Sequence, residues 1–97
     1  MTGYVVANYD ITNQEGYQAY LQTVAPTLTS HGAEILAADY ETEVREGAPG
    51  RVTIVIRFDS PEAARGWYES PEYQEIVHHR TDNSDGFLVI CEERRRP

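Results

Sequence analysis

Two segments of this chain, one near each end, are apolar at consecutive positions rather than at alternate ones. The first runs from Gly3 to Tyr9 and the second from Gly86 to Cys91. Both are rich in β-branched or aromatic residues, which favours strands. Because neighbouring side chains in a strand point to opposite faces, each predicted strand is apolar on both faces. The sheet that contains them must therefore be covered on both sides.

A helix is predicted after the first strand. Thr12 and Glu15 have the spacing of a capping box, so we expect the helix to begin at Asn13. Gly32 supplies the left-handed residue that commonly ends a helix. Pro26 lies inside this span, and because proline lacks an amide hydrogen, it predicts a kink or a break into two segments.

Two further strands are predicted in the middle of the chain. Residues 33–46 alternate only weakly between apolar and polar, so we expect a strand with a bend or a bulge. From Val52 to Phe58 the alternation is regular, which makes this the clearest strand pattern in the sequence. The residues from Gly47 to Gly50 have the composition of a turn and separate the two strands.

The triplet Ser-Pro-Glu occurs twice, beginning at Ser60 and at Ser70, and each copy predicts the start of a helix. The serine hydroxyl can cap the helix, proline is tolerated in its first turn, and glutamate interacts favourably with the positive end of the helix dipole. Because Pro71 disfavours the α conformation at Ser70, we expect two short helices in tandem.

The predicted order, β-α-β-β-α-β, is the split βαβ arrangement of ferredoxin-like domains. It predicts an α+β fold with a four-stranded antiparallel sheet and helices on one face. Residues 1–93 are expected to form this single domain, and residues 94–97 a disordered tail. Since the helices of a 97-residue chain can cover only one face, we predict a homodimer whose sheets pack face to face.

Charge and cysteine content restrict the class of partner. Sixteen acidic residues against eight basic ones give a formal net charge of −8, which disfavours nucleic acid as a partner. No apolar run approaches the roughly 20 residues of a membrane helix, no leader precedes the first strand, and one cysteine can form no disulfide within the chain. The sequence thus predicts a cytoplasmic protein without membrane contact, in which Cys91 is a small buried side chain.

Motifs spread over nearly the whole chain resemble the domain-of-unknown-function family 1330. They are Gly3-Tyr4-Val5, Ala19-Tyr20, Gly32, Arg51-Val52, Phe58 to Ala64, Trp67-Tyr68, Ser70 to Tyr73 and Arg80. The resemblance implies membership of the dimeric α/β-barrel superfamily, which also holds antibiotic-biosynthesis monooxygenases and muconolactone isomerases. It implies a dimer independently of the argument from length, and it implies no agreed reaction.

Arg80 is the most informative candidate functional residue. It lies seven positions after Tyr73 and three after Val77, hence on the helix stripe that faces the sheet. A guanidinium there needs an acidic partner or a ligand anion. One interpretation is a structural ion pair with Asp10 or Asp85. The other is that Arg80 binds the carboxylate or enolate of a ligand, for which its planar fork of donors is suited.

Aromatic residues on the inward stripes of the predicted helices admit two interpretations. The set consists of Tyr17, Tyr20, Trp67 and Tyr73. They could form a plain aromatic core, or they could line an apolar pocket for an aromatic, keto-acid or polyketide-like small molecule.

Three further residues are candidates for polar contacts or proton transfer. Asn8 and Asp10 share one face near the end of the first strand, and His79 could act as a general base at a dimer edge. His78 and His79 diverge by about 100° on a helix, so no metal site is predicted, and no cofactor motif occurs. The hypotheses are a cofactor-independent enzyme or small-molecule binder using Arg80, and a non-catalytic homodimeric module.

Overall fold

The two segments that are apolar at consecutive positions become neighbouring strands of one sheet in the computed structural model, which describes residues 1–95. The elements, in chain order, are β1 (Gly3–Ile11), α1 (Gln14–Thr29), β2 (Glu34–Asp39), β3 (Val52–Phe58), α2 (Pro61–Glu69), α3 (Pro71–Gln74), α4 (His78–Thr81) and β4 (Ser84–Glu92). The four strands are antiparallel, in the order β2-β3-β1-β4. This confirms the predicted α+β, ferredoxin-like fold. The last two residues of the predicted tail, 96–97, lie outside the described residues.

The start of α1 differs by one residue from the predicted capping box. The side chain of Asn13, not of Thr12, caps the helix by accepting a hydrogen bond from the amide of Gly16 at 3.3 Å. Thr12 instead follows the end of β1, and its amide donates to the carbonyl of Asn83 at 2.8 Å. Because this contact with the residue before β4 fixes the backbone at Thr12, the cap moves to the next residue.

Pro26 does not divide α1, so the predicted break is wrong. The helix is continuous from Gln14 to Thr29 and ends before Gly32, whose φ of 67° is the predicted left-handed conformation. Gln22, whose carbonyl loses its partner at Pro26, is exposed, as is Pro26 itself. Water can therefore hydrate the free carbonyl, which lowers the cost of proline inside the helix.

Both Ser-Pro-Glu triplets begin helices as predicted. The hydroxyl of Ser60 accepts from the amide of Ala63 at 3.0 Å, and that of Ser70 from the amide of Tyr73 at 3.3 Å. The second predicted helix is, however, two short ones, α3 and α4. The predicted irregularity in the second strand is a register shift between Ile35 and Ala37, and that strand ends early, at Asp39.

The sheet has one covered and one open face. The buried apolar and aromatic residues pack between the sheet and the helices: Val5, Ala7, Tyr9, Tyr17, Tyr20, Leu28, Val52, Ile56, Phe58, Ala64, Trp67 and Tyr73. On the other face, Phe87 pairs with Asn8 and Val89 with Val6, and their side chains are 52% and 47% exposed. The molecule is 16 Å across its shortest axis, which is the thickness of one sheet and one helix layer. The described chain thus leaves one apolar sheet face uncovered.

Cys91 lies on this open face, opposite Tyr4 in the strand register. Its side chain is exposed, so the prediction of a buried cysteine is wrong for the single chain. The error arises because the apolar run of β4 indicated burial on both faces, whereas the helices cover only one.

The two candidate caps of α1 can be separated by mutation. We expect Asn13→Ala to lower the free energy of unfolding by about 1 kcal/mol, because the amide of Gly16 loses its acceptor. Thr12→Ala is the matched control and should change stability by less than about 0.5 kcal/mol. Urea unfolding followed by the fluorescence of Trp67 measures both. If Thr12→Ala lowered the free energy of unfolding more than Asn13→Ala does, the capping box at Thr12 would be the better description.

Candidate functional site

An apolar cavity of about 220 Å³ lies between α1 and the covered face of the sheet. The residues that line it are Val5, Ala7, Tyr9, Tyr17, Tyr20, Leu21, Val24, Ala25, Leu28, Ile35, Ala38, Tyr40, Ile54, Ile56, Trp67, Arg80 and Leu88. Arg80 is the one charged side chain among them. Leu21 on α1 and Ile35 on β2 are exposed, which places the mouth of the cavity between these two elements.

The tyrosine hydroxyls around the cavity bond to one another. The hydroxyls of Tyr9 and Tyr17 are 2.5 Å apart, and that of Tyr17 is 3.5 Å from the hydroxyl of Tyr40. Tyr20 and Tyr73 form a second pair at 2.9 Å. Each buried phenol therefore has a hydrogen-bond partner in another tyrosine.

Burial keeps these phenols neutral. Desolvation is the largest cause that raises the pKa of Tyr9, Tyr17 and Tyr20 above the ordinary value. For Tyr9, the nearby Arg80 acts in the opposite direction and lowers the pKa, but burial outweighs it. At neutral pH the tyrosines are thus donors and acceptors of hydrogen bonds, not bases.

Arg80 is 6% exposed and has no acidic partner among residues 1–95. Its guanidinium carbon lies 5.7 Å from the ring centre of Tyr9 and 6.0 Å from that of Tyr20. Its Nε is buried with no hydrogen-bond partner in the described part of the chain. The predicted ion pair with Asp10 or Asp85 is wrong, because these two residues face each other across β1 and β4, where both are exposed.

Three of the four predicted aromatic residues, Tyr17, Tyr20 and Trp67, line the cavity. The indole Nε1 of Trp67 donates to the Thr27 hydroxyl at 3.0 Å, which fixes the ring in the wall. Tyr73 is fully buried behind this wall, with its ring centre 4.1 Å from that of Trp67. Tyr17, Tyr20 and Trp67 thus belong to the buried core and also line the cavity, whereas Tyr73 belongs to the core alone.

Asn8, Asp10 and His79 lie away from the cavity. Asn8 holds backbone groups at the start of β3, as described below, and Asp10 lines a separate polar cavity. The ring centres of His78 and His79 are 4.1 Å apart, and the ring planes are tilted by 43°. Among residues 1–95, no carboxylate or imidazole faces Arg80 in the cavity.

Tyr9 and Tyr40 also belong to the site but were not among the residues predicted from the sequence. Strand alternation from Val5 could have placed Tyr9 on the covered face. Tyr40 lies just beyond β2, where the register shift interrupts the strand alternation, so the sequence does not indicate which face Tyr40 occupies.

The described residues contain neither a candidate metal site nor a candidate membrane-spanning helix. Within residues 1–95, no three histidine, cysteine, aspartate or glutamate side chains are placed so that they could share a metal ion. None of the helices in that range has the length and apolarity needed to cross a membrane.

Comparison with known proteins gives a family match and a fold match. A family model described as Domain of unknown function (DUF1330) matches residues 2–94. No curated protein matches the chain in sequence. A protein of unknown function from Rhodopseudomonas palustris has a similar crystal structure, with a TM-score of 0.77 and 15% identity, over 98% of this chain and 84% of that chain.

Two further solved structures carry descriptions of activity. A conserved protein of unknown function from Bacteroides thetaiotaomicron VPI-5482, described as a possible oxidoreductase, has a TM-score of 0.62 and 14% identity, over 94% of this chain and 96% of that chain. A protein from Chloroflexus aurantiacus J-10-fl, provisionally described as an antibiotic biosynthesis monooxygenase, has a TM-score of 0.59 and 11% identity, over 100% and 97%. At these identities the likeness establishes the fold alone.

The buried phenols predict a steep loss of stability in alkali. Tyrosines in the unfolded chain ionise at about pH 10. In the folded protein the raised pKa values of Tyr9, Tyr17 and Tyr20 keep these three phenols protonated at that pH. Their contribution to stability is complete below pH 10 and is lost as the pH rises, by up to about 4 kcal/mol per pH unit for three phenols.

Phenolate absorbance and urea unfolding between pH 9 and about pH 12 measure this effect. We expect three of the seven tyrosines to ionise only as the protein unfolds, and Tyr17→Phe to reduce the slope by about a third. Ionisation of all seven tyrosines in the folded protein would contradict the assignment.

Proposed function

We propose that this chain, which belongs to the DUF1330 family, binds a small organic acid with a flat, apolar body in the cavity between α1 and the sheet. The observation that carries the proposal is Arg80, a buried guanidinium at an apolar cavity with an unpartnered Nε and no acidic partner among residues 1–95. A carboxylate or enolate oxygen of a ligand beside the guanidinium would supply the missing negative charge.

The cavity supports a ligand of limited size. An engineered protein cavity of roughly 150 Å³ holds a benzene molecule, so 220 Å³ accommodates one aromatic ring with a short acidic side chain. The rings of Tyr20 and Trp67 in the cavity wall would give such a ring aromatic contacts. Aromatic acids, keto acids and short polyketide-like acids belong to this class.

A cofactor-independent reaction on the bound acid is the catalytic form of this proposal. Arg80 would stabilise the oxygen of an enolate, and the neutral phenols would exclude water. Proton removal would fall to water or to the ligand itself, since no base among residues 1–95 faces Arg80. Binding is therefore the part of the function that the geometry supports best. The activities named for two proteins of similar fold motivate a test of oxidation but do not choose the substrate.

Arg80→Met tests the binding proposal. Methionine removes the charge and keeps most of the volume, so the variant should fold. We expect it to bind phenylpyruvate or phenylpropanoate at least tenfold more weakly than the unchanged protein, because a charge-assisted contact is lost. Affinity for the neutral methyl esters should change less than about threefold. Trp67 fluorescence and calorimetry report both.

Arg65→Met is the matched control, because Arg65 is exposed on α2 and lines neither cavity. It should bind acids and esters as the unchanged protein does. Equal affinity of the unchanged protein and Arg80→Met for the acids would overturn the role of Arg80.

The second part of the proposal is a homodimer formed through the open sheet face. Its support is the exposure of Phe87 and Val89 on a face where β1 also presents Val6. The chain is too short to cover this face with helices of its own. A second copy would cover it, and the apolar surface of both copies would be buried at once. The free thiol of Cys91 on this face fits the reducing cytoplasm that we propose as the location. A dimer that binds no ligand is the alternative function, and this face alone supports it.

Light scattering tests the dimer. The unchanged protein should have twice the 11.0 kDa mass of one chain at micromolar concentration. Val89→Glu should give the single-chain mass, because a carboxylate would be buried unpaired in the interface. Val44→Glu, at an equally exposed position outside the sheet, is the control and should remain dimeric. A single-chain mass for the unchanged protein would exclude the dimer.

A further inference from the structure

We infer that a polar subsite next to the apolar cavity binds the far end of the same ligand, through Arg51, Gln14 and Asp10. This inference rests on the proposed function, since it assigns a second functional group to the acid held at Arg80. The subsite is a separate cavity, also of about 220 Å³, at the end of the sheet where β1 leads into α1. Its lining residues are Asp10, Ile11, Gln14, Tyr40, Arg51 and Val52.

Tyr40 joins the two cavities, because its side chain lines both of them. Its hydroxyl is 3.5 Å from that of Tyr17 in the wall of the apolar cavity, while 39% of the residue is exposed. Tyr40 belongs to no helix or strand, since β2 ends at Asp39. A ligand that extended past the Tyr40 ring would leave the apolar cavity and reach the charged and amide side chains of the second one.

The backbone that carries Arg51 is held in place from β1. The Asn8 amide donates to the carbonyls of Gly50 and Val52, each at 3.1 Å, and its oxygen accepts from the amide of Gly50 at 2.7 Å. The carboxylate of Asp10 accepts from the amide of Arg51 at 2.9 Å. Asn8 and Asp10 thus act as positioning residues for Arg51.

Gly50 makes this close contact possible. A Cβ at Gly50 would lie 2.3 Å from the carbonyl carbon of Tyr9. Any residue other than glycine at this position would therefore clash with β1 unless the backbone moved. The start of β3 is therefore fitted tightly against β1, and the Arg51 side chain leaves from a fixed point. Because the backbone is already fixed, a ligand that contacts Arg51 would have to order only its side chain.

The charges of the subsite indicate what it would bind. Arg51 and Asp10 have opposite charges and form no ion pair with each other in the described chain. Gln14 adds a neutral amide with both donors and acceptors. A neutral group that both donates and accepts, such as a carboxamide or a hydroxyl, satisfies all three side chains. A second carboxylate would meet Asp10 and the net charge of −8, so the acid is directed to Arg80 instead.

Matched ligands test the subsite. The probes are three phenylpropanoic acids whose para side chain ends in a carboxamide, in the isosteric isopropyl group, or in a carboxylate. In the unchanged protein we expect the carboxamide to bind about tenfold more tightly than the isopropyl compound, and the carboxylate to show no such gain. Arg51→Gln should reduce the carboxamide advantage to less than about threefold, with the affinity for unsubstituted phenylpropanoate unchanged.

Arg45→Gln is the matched control, because it removes the same charge from the segment between β2 and β3 at a residue that pairs with Glu43 and lines neither cavity. It should keep the full carboxamide advantage. Gln14→Leu, at an exposed position, is a second variant and should also reduce that advantage.

The outcomes separate this inference from the function on which it rests. If the acids bind through Arg80 but the carboxamide and isopropyl compounds bind equally, the polar subsite is wrong and the acid-binding function stands. If Arg45→Gln reduces the advantage as much as Arg51→Gln does, the effect is general electrostatics and the subsite is again wrong. If none of the acids binds, both proposals fail together.

Discussion

The structure depends on β1, which is hydrogen-bonded to β3 on one side and to β4 on the other. Its alternation sends Val5 and Tyr9 to the helix side, where they line the apolar cavity. The same alternation sends Asn8 to the open side, where it holds the start of β3. One strand thereby contributes to the cavity on the helix side, and on the open side to the face proposed for dimer formation and to the anchoring of the backbone at Arg51.

Arg80 is energetically unusual within this arrangement. Burial of a charge without a partner costs several kcal/mol even after relaxation, whereas a cation–π contact contributes about 0.5–2 kcal/mol. The two rings at 5.7 and 6.0 Å therefore recover only part of the cost. The phenols add little charge, because burial raises the pKa of Tyr9 and Tyr20 and keeps them neutral. The proposed ligand anion would remove this imbalance, whereas the aromatic residues need no ligand to satisfy their hydrogen bonds.

Local signals in the sequence predicted most of the fold and less of the site. Ser60 and Ser70 were identifiable as caps because the cap, the proline and the acid are adjacent. The inward position of Arg80 followed from helix periodicity. That no acidic residue in 1–95 pairs with it depends on which face of β1 carries Asp10 at the strand end. The cap at Asn13 depends on the hydrogen bond between Thr12 and the backbone of Asn83. The position of Tyr40 between the two cavities follows the register shift in β2. These are long-range features that spacing along the chain does not encode.

The two parts of the proposed function are physically separable. Val6 and Val89 pair on the open face, whereas Val5 and Ile90 pair on the covered one, so no side chain serves both surfaces. A second copy on the open face would restrain β1 without entering the cavity or touching its mouth, which lies between α1 and β2. Ligand affinity should therefore be set within one chain, and association would act on it only through the rigidity of β1.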